Sequence, residues 1–225
     1  MSAVGLPCSR CGRDRQSIRF RPRQCACSAA QIRFSVFGYY GKIPAHGDFV
    51  RSRADVAFVA VWDAWLQESL AASRTALAED WEQAYQNAPI WRFCFGPEIC
   101  GPNPMIGVMM PSQDRVGRRF PLTVFHPVSQ SLSLKTLDLE PFMTKLEDIA
   151  LLTLTEQSDK SQLSARLDTL ALPDFPVTDG AKQRSFWLST FFGGAPRRDI
   201  RTFEGLPKAS NFADLLAPKG ENSHV

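Results

Sequence analysis

Apolar positions along this chain recur with two different periods, and the switch between them marks out its elements. Residues 34–40 are dense in aromatic and β-branched side chains, which predicts a first strand. From about Asp55 the apolar residues Phe58, Val61, Trp62, Trp65, Leu66 and Leu70 fall on one face of an amphipathic helix. Leu77, Trp81 and Tyr85 follow at four-residue steps and predict a second helix that stops before Pro89, because the residue ahead of a proline is pushed out of the helical region. Residues 90–95 read as a strand closed by Gly96-Pro97, and 105–110 and 120–125 as two more, paired as a hairpin across the polar connector 112–119. Phe142, Leu146, Ile149, Ala150 and Leu154 predict another helix, and Leu163, Leu167 and Leu170 a further one. Residues 185–192 form a late strand ahead of Gly193-Gly194, and a short helix near 212–216 closes the body. Strands in consecutive runs with helices segregated between them predict an α/β fold of the α+β type. It is a single domain over 34–217 with a mostly antiparallel central sheet flanked by helices, followed by a flexible tail at 218–225.

One segment breaks both periods. Gly38-Tyr39-Tyr40-Gly41-Lys42-Ile43-Pro44-Ala45-His46-Gly47-Asp48-Phe49-Val50-Arg51 holds three glycines and a proline between apolar flanks. Glycine admits positive φ and proline holds φ near −65°, so the backbone must turn there and can be neither helix nor long strand. A specified turn carrying Lys42, His46, Asp48 and Arg51 is a natural place for recognition. Gly38-x-x-Gly41-Lys42 is not a phosphate loop, which needs four residues between the glycines and a Ser or Thr after the lysine. Ser112 or Asp114 with His46 (or His126) composes a hydrolytic set on paper, although no G-x-S-x-G elbow surrounds Ser112. Arg115, Arg118 and Arg119 bracket Gly117, while Arg51 and Arg53 flank the first turn. Arginine's planar fork suits carboxylates and phosphates, so these side chains either pair with Asp48, Asp63 and Asp114 to fasten two loops together or meet an external partner. The tryptophans at 62, 65, 81 and 91 are core by spacing, and any one left exposed would be an interface anchor.

The charge distribution narrows the choice of partner. Seven arginines and one aspartate give residues 1–33 a net charge of +6, so the remainder of this +3 chain carries −3 and a nucleic-acid partner is not expected. The chain has 225 residues, 44 % hydrophobic and 22 % charged, which suffices for a sizeable core without disulfides. No apolar run is long enough to cross a bilayer and residues 1–30 lack the apolar stretch of a signal peptide, so a cytoplasmic protein is expected. Cys8, Cys11, Cys25 and Cys27 could hold zinc, but the second pair is one residue tighter than an ordinary knuckle. The other readings of residues 1–33 are a disordered basic extension and upstream sequence translated from an early start codon. Cys94 and Cys100 read as ordinary reduced thiols. No cofactor is expected.

Five motifs in order carry a family resemblance: the glycine turn, Trp62-Asp63-Ala64-Trp65-Leu66, Trp91-Arg92-Phe93, the block from Ser112 to Leu122, and Ser185-Phe186-Trp187. Over roughly 34–216 the chain resembles the TagF family of type VI secretion accessory proteins. Relatives begin close to the position of Phe34, which favours the start-codon reading of the arm. The resemblance implies a non-enzymatic posttranslational repressor that binds the forkhead-associated scaffold protein of the secretion system and blocks assembly. Loop chemistry places the contact at Lys42, Asp48, Arg51, Asp114, Arg115 and Arg118. The rival from another class is a small hydrolase using Ser112 or Asp114 with His46.

Overall fold

The computed structural model describes residues 37–52, 56–128, 133–154, 158–175, 183–192 and 195–218. Among these residues seven strands form one open antiparallel sheet in the order β2-β1-β5-β4-β3-β6-β7. They are β1 (Gly38–Gly41), β2 (Val50–Ser52), β3 (Trp91–Phe95), β4 (Met105–Met110), β5 (Leu122–Pro127), β6 (Arg184–Phe192) and β7 (Ala195–Glu204). Among the described residues the helices are α1 (Val56–Leu77), α2 (Trp81–Gln86), α3 (Phe142–Leu151), α4 (Lys160–Asp168) and α5 (Phe212–Leu216). The expected antiparallel sheet with flanking helices is the architecture found. The expected strand residues 34–36, the pair Gly193-Gly194, the arm 1–33 and all but Pro218 of the tail lie outside the described residues.

The sheet is covered on both faces, and strand alternation sorts its side chains into two chemically different layers. Trp91, Phe93 and Phe95 of β3, Phe125 of β5 and Trp187 of β6 point to one side, where they meet Phe58, Trp62 and Trp65 of α1, Tyr85 of α2 and Phe212 of α5. Cys94, Ile106, Val108, Val124 and Leu188 point to the other, against Leu146 of α3 and Leu163 and Leu167 of α4. One layer is therefore aromatic and the other aliphatic. All five tryptophans are buried, and each indole N–H finds an acceptor: Thr123 Oγ1 for Trp62, the Pro207 carbonyl for Trp65, Ser73 Oγ for Trp81, the Leu215 carbonyl for Trp91 and Ser185 Oγ for Trp187. Satisfying that one polar atom is what allows so large a side chain to sit fully inside. No tryptophan is left over as a surface anchor.

Several boundaries differ from the sequence reading, each for a physical reason. Val61 and Leu154, expected on buried faces, are exposed. Leu77 ends α1 instead of starting the next helix, because Ala78 takes a φ of 46° and breaks the run before α2. The hairpin strand β5 starts at Leu122 rather than Phe120, since Pro121 has no N–H to give the ladder. The glycine segment contributes strand at both ends, β1 pairing with β2 through Tyr40↔Arg51 and with β5 through Tyr40↔Thr123. β7 was not expected at all. Its sequence APRRDIRTFE is that of an edge strand, in which charge replaces apolar alternation.

Gly41 is a position at which the fold tolerates no side chain. Its φ is +141°, and a Cβ there would lie 2.1 Å from the Pro121 carbonyl oxygen and 2.8 Å from the Leu122 Cα, both rigid backbone. Gly117 also has a positive φ, +84°, but faces open space. Gly41→Ala should therefore cost about 3 kcal/mol or more in urea unfolding, and Gly117→Ala only about 1 kcal/mol. Equal losses would show that conformational strain alone, and not the close backbone approach, sets the requirement at Gly41.

Candidate functional site

Because β1 and β4 both neighbour β5 in antiparallel register, the β1–β2 loop (42–49) and the β4–β5 loop (111–121) emerge from the same end of the sheet. One carboxylate joins them. Asp114 is buried, and its Oδ1 accepts the backbone N–H groups of Val116 and Arg118 at 3.1 and 2.9 Å. Its Oδ2 accepts Lys42 Nζ at 2.8 Å and Arg118 Nε at 2.6 Å. The Gly117 N–H donates to the Asp114 carbonyl and the Asp114 N–H to that of Arg118, closing the turn locally. Across the loops, the Arg115 N–H donates to the His46 carbonyl at 2.8 Å, Arg118 Nη2 to the Gly47 carbonyl at 2.6 Å, and Ser112 Oγ to the Lys42 carbonyl at 2.7 Å. Burial alone would raise the Asp114 pKa, but the hydrogen bonds from Lys42 and Arg118 outweigh it and hold the carboxyl far below the usual carboxylate range.

Two sets of aromatic contacts adjoin the junction, one of them through the partly exposed Phe49. Lys42 Nζ lies 5.0 Å from the centroid of Phe49, which stacks on Tyr40 at 5.5 Å and meets Phe120 edge-on at 4.8 Å. Tyr40 in turn donates from its hydroxyl to Asp63 of α1 at 2.7 Å. On the other side the Tyr85 hydroxyl donates to the Ser112 carbonyl at 2.9 Å and accepts the Ser112 N–H, while burial pushes its phenol pKa upward. Arg119 Nε reaches Glu82 Oε1 of α2 at 2.8 Å, a pairing that lowers the Glu82 pKa. The loop pair is thus tied to α1 and α2, two of the three helices of the aromatic layer.

The six residues singled out by loop chemistry separate into two groups. Lys42 and Asp114 are buried against each other, so they shape the surface without forming it. Asp48, Arg51, Arg115 and Arg118 are exposed, and Val116 at the turn is 71 % exposed. Asp48 accepts the Phe49 N–H, and Arg51 sits on β2 opposite Tyr40. Of the two readings of the arginines, internal pairing holds for Arg118 with Asp114, and Arg119 pairs internally with Glu82; the Arg115 side chain stands beside Gly47. Arg53 lies outside the described residues.

The hydrolytic set is not assembled as a relay. Ser112 is buried with its hydroxyl donating to a main-chain carbonyl, and Asp114 is taken up by two cations and two amides. Neither residue hydrogen-bonds the His46 ring, and the hydrogen bonds His46 makes with the loops are through its backbone. Cys8, Cys11, Cys25 and Cys27 lie outside the described residues, and among those described no three His, Cys, Asp or Glu side chains converge. Cys94 and Cys100 are buried free thiols, and burial pushes Cys100 up to about 12.

A second polar junction escaped the sequence reading. Arg92, the second residue of β3, is buried on the aliphatic face and binds Glu147 of α3 through Nε and Nη2, at 2.7 and 2.9 Å. Its Nη1 adds Glu140 at 2.6 Å and the Leu137 carbonyl at 3.1 Å. Burial would lower its pKa, but the two glutamates outweigh this and raise it. The available signal was a lone arginine inside a strand buried on both faces, which must find carboxylates.

The model for the TagF N-terminal domain, type VI secretion system-associated, matches residues 38–170, a span that contains both loops. Among solved structures, the chain is similar to the crystal structure of PA0076 from Pseudomonas aeruginosa PAO1 at 2.05 Å resolution. The likeness has a TM-score of 0.74 and 28 % identity, covering 83 % of this chain and 96 % of that one. No curated protein sequence matches.

Removing Asp114 strands a buried lysine, so Asp114→Ala should cost about 3–5 kcal/mol, whereas removing the largely exposed Arg118 side chain should cost about 1 kcal/mol or less. Asp114 has a depressed pKa in the folded state, so its contribution is complete above the unfolded value, declines below it and is lost as pH falls through the folded value. In chemical denaturation, the stability gap between wild type and Asp114→Asn should be constant above about pH 5 and narrow progressively below it. A gap that stays constant into acid would show that Asp114 does not carry the ion pair described here.

Proposed function

The chain belongs to the TagF family of type VI secretion-associated proteins, and we propose that it is a posttranslational repressor that binds the forkhead-associated scaffold protein of that system. Binding withholds the scaffold from assembly by mass action, since a protein held in a complex leaves the pool available to the secretion machine. The observation that carries this reading is the pre-organised loop pair. Its exposed residues Asp48, Arg51, Arg115, Val116 and Arg118 stand on a base whose hydrogen bonds are already made. A rigid rim loses little conformational entropy on binding, which favours recognition between proteins.

Two further observations support a binding protein. Ser112 and Asp114 are consumed by structural bonds, so the residues best suited to hydrolysis hold the loops instead. No helix among the described residues is long and apolar enough to cross a membrane, which suits a cytoplasmic repressor. The contact surface we assign is Asp48, Arg51, Arg115 and Arg118, with Lys42 and Asp114 as the residues that position it.

The test is capture of the full-length chain by the forkhead-associated scaffold of the same organism. Arg115→Glu with Val116→Asp should weaken capture at least about tenfold while leaving the fold intact, as loss of a hot-spot pair does. Val61→Asp, on the exposed side of α1, should leave capture unchanged. Capture that is equally strong with the loop variant would move the contact elsewhere, and no capture of folded wild-type protein would overturn the repressor reading.

A further inference from the structure

Among the described residues the sheet ends on one side in β7, whose one sheet neighbour there is β6. Its hydrogen-bonding direction follows from two contacts. The Gly205 N–H donates to the Gln183 carbonyl at 2.7 Å, just past the β6–β7 pair Arg184↔Glu204. On the far side of β6, the Gly96 N–H donates to the Arg184 carbonyl at 3.2 Å. Odd-numbered β6 residues therefore bond toward β7 and even-numbered ones toward β3. In an antiparallel ladder the bonded pairs alternate, so Trp187↔Arg201 and Ser189↔Asp199 exchange hydrogen bonds and Leu188↔Ile200 does not. The N–H and C=O of Ile200 consequently point outward, to the open edge, as do those of Thr202, while the β6–β7 register shifts beyond Ser189↔Asp199.

We propose that β7 is a homodimerisation strand, pairing antiparallel with β7 of a second copy about a two-fold axis through Ile200 and joining the two sheets into one. The register is self-complementary over the regular part of the strand, 199–201, where Ile200 faces Ile200 of the second copy as a hydrogen-bonded pair. Asp199 faces Arg201 and Arg201 faces Asp199, both in the closely spaced non-bonded positions where side chains approach most. Two opposite-charge pairs thus form by symmetry from one two-residue pattern, as an isologous interface requires.

The present arrangement of these side chains suits that pairing. Asp199 and Arg201 lie on one face of the strand and already meet as a fork, Nε to Oδ1 at 2.8 Å and Nη2 to Oδ2 at 2.9 Å. A second copy extends this pair into a two-by-two array in which neighbouring charges are opposite in sign. Ile200 projects to the opposite face, where it is 42 % exposed although the strand around it is charged. Arg198, on that same face, is drawn away from the axis by a two-pronged bond to Asp138 at 2.8 and 2.7 Å, so it brings no like-charge clash to the axis. Charge on an edge strand ordinarily deters pairing. Here its order deters most strangers and admits this strand's own antiparallel copy. The opposite edge, β2, offers only three residues, Val50–Ser52, and is a poor template.

The test is sedimentation velocity of the full-length chain over a concentration series, with circular dichroism to confirm folding. Wild type should reach twice the chain mass. Arg201→Asp sets like charges opposite each other twice per interface and should raise the dimer dissociation constant at least about tenfold; Asp199→Arg should do the same. The double variant Asp199→Arg/Arg201→Asp restores complementarity and should restore the dimer. Ile200→Pro removes an N–H that β6 does not use, so it should abolish dimerisation while the monomer stays folded. A wild type that stays monomeric throughout, or a dimer indifferent to the single charge reversals and to Ile200→Pro, would overturn the proposal.

Discussion

The carboxylate of Asp114 is the point on which the candidate surface of this protein depends. It accepts two backbone amides, a lysine and an arginine, and so closes its own turn while holding the neighbouring hairpin loop. Taking Lys42 and Asp114 out of water is costly, and their attraction offsets that cost only when the remaining lone pairs are satisfied. Here they are. The outcome is geometric specification: Arg115, Val116 and Arg118 project from a turn that the Asp114 carboxylate and main-chain hydrogen bonds close.

Arg92 applies the same logic on the other face of the sheet. It fastens β3 to α3 through Glu147, while Glu140 and the Leu137 carbonyl fill the rest of its fork. The two junctions differ in consequence. Arg92 is enclosed and serves packing between layers, whereas the Asp114 junction lies at the sheet's end and exposes a rim. Between them lies a sheet whose two faces are filled by different chemistry, aromatic against α1, α2 and α5 and aliphatic against α3 and α4. That division lets five tryptophans pack on one side without orphaning an indole N–H.

Much of this was legible in the amino-acid sequence, where periodicity and burial coincide. The tryptophan face of α1, the β4–β5 hairpin and the late strand β6 follow from apolar spacing because burial on one stripe or both faces demands it. β7 was not legible, since an edge strand needs no apolar alternation, and β2 is too short to show a period. The loop residues were identified by their chemistry, but their depths were not. Nothing in the sequence distinguishes Lys42, buried on Asp114, from Arg115, exposed one residue along from it. That distinction comes from β1 and β4 flanking β5, a long-range pairing. Arg92 could have been suspected from its apolar neighbours, but its partners lie 48 and 55 residues away.

The central claim is that the two loops form one rigid unit through Asp114, and native-state hydrogen exchange at single amides tests it most directly. The Val116 and Arg118 amides, bonded to the Asp114 carboxylate, and the Arg115 amide, bonded to the His46 carbonyl, should exchange together and slowly, through one shared opening. Exchange of these three amides at independent rates close to those of an unstructured chain would contradict it.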